Sequence, residues 1–60
     1  MLDPELVAST PRGSTIESLG GDSYWICDDA HHCLRVQGLW RAQELVQRAE
    51  VLHRHLDQLN

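Results

Sequence analysis

The 60 residues of this chain predict a small α+β domain: a β-hairpin, with an optional third strand at its edge, followed by one long C-terminal α-helix that pairs with a second copy. Two patterns carry that expectation. Strand-forming residues flank Cys27-Asp28-Asp29-Ala30-His31-His32-Cys33 on both sides, Tyr24, Trp25 and Ile26 before it and Leu34 and Val36 after it. From Ala42 to Leu59, apolar residues recur at spacings of 3, 4, 3, 4 and 3, the period of a helical seam. Size adds a third consideration, because a chain this short buries only about 60% of its unfolded surface and usually needs a disulfide, a metal or a partner subunit.

Residues 1–23 hold both prolines and three of the four glycines, a composition that does not sustain long regular elements. They are expected to form a flexible acidic arm, with 24–60 as the hairpin-helix domain. Thr15-Ile16-Glu17-Ser18-Leu19, followed by Gly20-Gly21-Asp22, can supply the edge strand and a turn, although Ser14 to Glu17 also matches a helix capping box.

A register test sharpens the hairpin. If Cys27 sits opposite Cys33, then Ile26 faces Leu34, Trp25 faces Arg35 and Tyr24 faces Val36. Side chains alternate along a strand, so Tyr24, Ile26, Leu34 and Val36 share one apolar face. Trp25, Cys27, Cys33 and Arg35 share the other, with Arg35 in reach of the indole ring. A rival reading caps a helix at Asp28 and runs it from Asp29 to Val36, which would create a helix-turn-helix. Against it stand the Tyr24-Trp25-Ile26 lead-in and the poor helix formers His31, His32 and Cys33.

Residues 39–59 form the most strongly patterned element. Ala42, Leu45, Ala49, Leu52, Leu56 and Leu59 make the seam, Glu44–Arg48 and Glu50–Arg54 are favourably ordered i,i+4 pairs, and Gly38 is the only tolerable N-cap. Trp40 and Val51 fall nearly opposite the seam at 100° per residue. With apolar groups on two sides, one to cover the hairpin and one left over, the helix is expected to form a homodimer through Ala42, Leu45, Ala49, Leu52, Leu56 and Leu59.

Charge narrows the function. Nine acidic residues against five arginines, with no lysine, leave −4 overall, and residues 1–29 alone carry six carboxylates against Arg12. Duplex DNA is bound mainly by neutralising phosphates, so nucleic acid is a poor partner for this chain. No basic and apolar leader and no run of 18 apolar residues is present, which leads to the expectation of a cytoplasmic protein with reduced thiols and no membrane contact.

The function expected is therefore binding: a non-enzymatic regulator, adaptor or inhibitor that engages another protein through Tyr24, Trp25, Arg35 and Trp40, aromatic and arginine side chains being frequent interface anchors. A hairpin and a helix offer little from which to build an oxyanion hole and a shielded pocket, so no enzyme and no cofactor are expected. The first alternative is a zinc module using Cys27, His31, His32 and Cys33. The five-residue gap between cysteines and the adjacent histidines fit common zinc spacings poorly, and a fourth ligand would have to come from His53, His55 or a second chain. The second alternative is a small dimeric DNA-binding regulator, resting on the rival helix.

Overall fold

The computed structural model describes residues 4–58, with the backbone only at Asp57. Strands β1 (Glu5–Ser9), β2 (Thr15–Gly20), β3 (Ser23–Cys27) and β4 (Cys33–Gln37) precede helix α1 (Leu39–Leu52) and a 3-10 turn at Leu56–Gln58. The strands form one antiparallel meander in the order β1-β2-β3-β4. The helix covers one face of the sheet, which makes the molecule a two-layer α+β fold.

The segment expected to be an arm contributes the first two strands. Its breakers fall at strand ends or between strands rather than in strand interiors. Pro11 and Gly13, the latter at φ 102°, occupy the β1–β2 turn, where Gly13 N–H donates to Thr10 O at 2.9 Å. Gly20 and Gly21, both at positive φ, make the β2–β3 turn. Between these turns Ile16 pairs with Ile26 and Ala8 pairs with Ile16, so burial of one apolar row overrides a turn-rich composition.

The β3–β4 register is the expected one, from Ser23 opposite Gln37 to Cys27 opposite Cys33. Residues 33–37 are strand, so the rival helix and its helix-turn-helix do not form. Ala8, Ile16, Ile26 and Leu34 line up across all four strands on the helix-facing side. Leu6, Glu17, Trp25 and Arg35 line up on the opposite face.

Helix α1 starts at Gly38, which is the N-cap at φ 90° and makes no side-chain capping bond. It ends at Leu52, about two turns earlier than the apolar spacing to Leu59 suggests. His53 takes the left-handed conformation (φ 55°), its N–H donates to Glu50 O, and Arg54 N–H donates to Ala49 O, the double closure of a Schellman motif. The chain then turns back, and Leu56 enters the core with no exposed surface.

Four of the six seam residues, Ala42, Leu45, Ala49 and Leu56, are buried within the chain's own core. Ala42, Leu45, Val46 and Ala49 are the buried residues of the helix, the i, i+3, i+4, i+7 stripe of a helix packed on a globular core. A coiled-coil seam is narrower and has no place for Val46. Leu52 is half exposed at the helix end, and Leu59 lies outside the described residues. Trp40 and Val51 do project away from the seam, at 73% and 67% exposure. Among the described residues, Glu44 pairs with Arg41 at 2.9 Å rather than with Arg48, and Glu50 is used elsewhere.

Candidate functional site

Two regions combine exposed or buried chemistry with defined geometry. The first is the outer sheet face and the β4 edge. Trp25 is 38% exposed, standing between its register partners Glu17 and Arg35, with Leu6 beyond Glu17. The two sheet edges differ. β1 is broken by a bulge between Leu6 and Ala8 and is preceded by Pro4, devices that blunt an edge against pairing. β4 keeps an unbroken five-residue register with β3, contains no proline, and pairs with no fifth strand among the described residues. Between β4 and the helix runs a groove of about 370 Å³, lined by Leu34, Arg35, Val36, Gln37, Arg41 and Leu45.

The second region is built on Asp28, the first residue after β3. Its side chain is buried, and its four hydrogen bonds join two distant segments. Oδ1 accepts from the backbone N–H of Ala30 (2.8 Å) and His32 (2.9 Å), folding the loop back on itself. Oδ2 accepts from Leu56 N–H (3.2 Å) and lies 3.1 Å from His55 Nδ1, which fastens the segment after the helix. Burial by itself pushes this carboxyl up, but the N–H groups of His32, Leu56 and Ala30, with the His55 side chain, outweigh it and leave Asp28 below the usual carboxylate value. The His32 and His55 rings stack at a tilt, with centroids 4.2 Å apart.

A matching tether lies nearby. Glu50, on the last turn of α1, accepts Thr10 Oγ1–H at 2.5 Å and Ser14 Oγ–H at 2.8 Å, which ties the β1–β2 turn to the helix. The Thr10 bond lowers the Glu50 carboxyl most, burial opposes it, and Ser14 and the Arg12 charge lower it further. Arg12 also donates to Glu50 O at 3.4 Å and approaches His53 Nδ1 at 3.3 Å. Asp28, Glu50 and His55 all border a cleft of about 140 Å³ at this end of the molecule. No buried side-chain polar atom of the described residues lacks a partner.

The residues singled out from sequence are redistributed. Trp25 and Arg35 are neighbours on the outer face, as expected. Tyr24 points the other way and packs against the core, while Trp40 stands on the outer side of the helix, so these four do not form one patch. Cys27 and Cys33, expected as free thiols, are joined in a disulfide at the neck of the loop. A disulfide supplies no thiolate, so the four-ligand set Cys27, His31, His32 and Cys33 does not assemble. His31 is exposed, at φ 63°. Of that set only His32 meets other ligand-type groups, namely Asp28 and His55, and the donor atoms of these three lie within 4.8 Å of one another.

Asp28 and Glu50 went unrecognised as tethers because their partners lie 28 and 40 positions away. One local signal existed for Asp28, an aspartate opening a loop, where its side chain satisfies N–H groups two and four residues ahead.

The molecule is thus defined as a two-layer α+β domain with an open sheet edge and a carboxylate-centred, disulfide-closed loop. No protein-family model, no curated protein and no solved structure matches the chain. No helix among the described residues is long and apolar enough to cross a membrane.

Proposed function

We propose that this chain is a protein-binding module whose partner adds an extended segment along β4. The asymmetry between the sheet edges carries the proposal: β1 is blunted by a bulge and Pro4, and β4 is not. An added strand takes its affinity from backbone hydrogen bonds and its specificity from alternate side chains. On one side those side chains meet Trp25 and Arg35. On the other they enter the groove between Leu34, Val36 and Leu45, with Arg41 at its rim. The two arginines favour a segment bearing carboxylates, in the manner of charge-complementary interfaces.

The sequence-based expectation of a binding protein is kept, and its contact surface becomes narrower. Trp40 belongs to the opposite layer and is not assigned to the contact. A photo-crosslinking residue placed at position 35 or 37 is expected to capture a partner, and Trp25→Ala in the same chain is expected to abolish that adduct. Capture from position 40 with none from 35 or 37 would move the interface to the helix and reject this reading.

A further inference from the structure

The geometry points to a divalent transition-metal site formed by His32, His55 and Asp28. Their donor atoms converge within 4.8 Å, and the two segments that carry them, the 28–32 loop and the 53–56 turn, also carry all four histidines of the chain. The separation of His55 Nδ1 and Asp28 Oδ2 already suits a shared ion. At 3.1 Å apart, two donors each about 2.0–2.1 Å from a zinc ion subtend roughly 100° at the metal, close to a tetrahedral angle. His32, its ring centroid 4.2 Å from that of His55 and its donor atom within 4.8 Å of the other two, supplies the third donor.

Asp28 stays in position without its bond to His55, because the N–H groups of Ala30, His32 and Leu56 still hold it. On binding, the ion takes the place of the Nδ1 proton and His55 carries its proton on Nε2, so imidazole and carboxylate both face the metal in their ligating forms. Asp28 and His55 also border the cleft of about 140 Å³, together with Arg12 and Arg54, while His32 lies outside its lining. With both sulfurs in the disulfide, the donor set is nitrogen and oxygen only, which suits zinc, nickel or copper. The ion would fasten the end of the chain to the loop, adding the staple that so small a domain needs.

The test uses the full chain with its disulfide intact, shown by the absence of titratable thiols, and zinc chloride as the probe. Calorimetry is expected to give one ion per chain, with a rise in the melting temperature. His32→Ala and His55→Ala are each expected to weaken binding at least tenfold, the order seen when a metal loses a ligand or its support. His31→Ala and His53→Ala are expected to change it less than twofold. The two histidine ligands are partly exposed, so their variants should fold, and circular dichroism checks this. No uptake at millimolar zinc, equal losses from His31→Ala and His53→Ala, or binding that appears only after the disulfide is reduced would each overturn the assignment.

Discussion

Asp28 and Glu50 are both carboxylates held below their ordinary titration range, and both tether an early loop to the C-terminal part of the chain. They differ in what they hold. Three of the four groups that bond Asp28 are backbone N–H, whereas the two donors to Oε2 of Glu50 are hydroxyls. A hydroxyl can rotate away and find water when its acceptor is lost. A backbone N–H fixed in a folded loop cannot, and its desolvation cost remains. Two carboxylates with similar titration behaviour therefore carry unequal structural weight.

The largest effect should come from removing the tether with fixed donors. Asp28→Ala is expected to cost about 3–5 kcal/mol, the range for breaking a buried charged pair. A domain of this size has only about 3–9 kcal/mol in all, so urea titration should find the variant largely unfolded. A cost below that of Glu50→Ala would invert the comparison. Next comes the covalent closure of the same loop: replacing Cys27 and Cys33 together with serine should cost about 2 kcal/mol, since so short a loop gains little entropy from closure. Glu50→Ala should cost about 1–2 kcal/mol, and Ser14→Ala about 1 kcal/mol or less. The smallest effect has the opposite sign. His53→Gly should stabilise by about 0.5–1 kcal/mol, because glycine accepts the left-handed closure of α1 at no steric cost.

Acid titration separates the two tethers by a second route. A carboxyl held low in the folded state contributes stability above its unfolded value and loses it as pH falls through the folded one. Descending in pH, the Glu50 contribution should start to fade near 4.5 and that of Asp28 near 3.8. Glu50→Gln should delete the first part of the loss and leave the second, as followed by denaturant midpoints at successive pH values. A variant that loses stability along the same curve as the parent chain would show that Glu50 contributes nothing through its charge.

The two outer hairpins of the sheet were unequally legible. β3–β4 could be placed to the residue because setting its two cysteines opposite each other brings Tyr24, Ile26, Leu34 and Val36 onto one face. β1–β2 has a bulge and two prolines nearby, and its place in the sheet depends on β2 pairing with β3. The helix shows a related ambiguity. Ala42, Leu45, Ala49, Leu52 and Leu56 look like one continuous seam, yet the helix stops at Leu52 and Leu56 reaches the same core from a separate turn. Periodicity registers most of the buried residues, although Leu52 is half exposed and Val46, off the seam, is buried. It does not register that the chain has changed direction between them.

From the sequence alone came the α+β class, the β3–β4 register, the faces of Tyr24 and Trp25, the N-cap at Gly38 and the outward placement of Trp40 and Val51. All of these follow from local periodicity, which acts over a few residues. Tertiary structure decided the sheet's other half, the intramolecular use of the leucine seam, the unblunted β4 edge and the meeting of Asp28 with His32 and His55. Each depends on contacts between segments far apart in the chain, where spacing in sequence carries no record of distance in space.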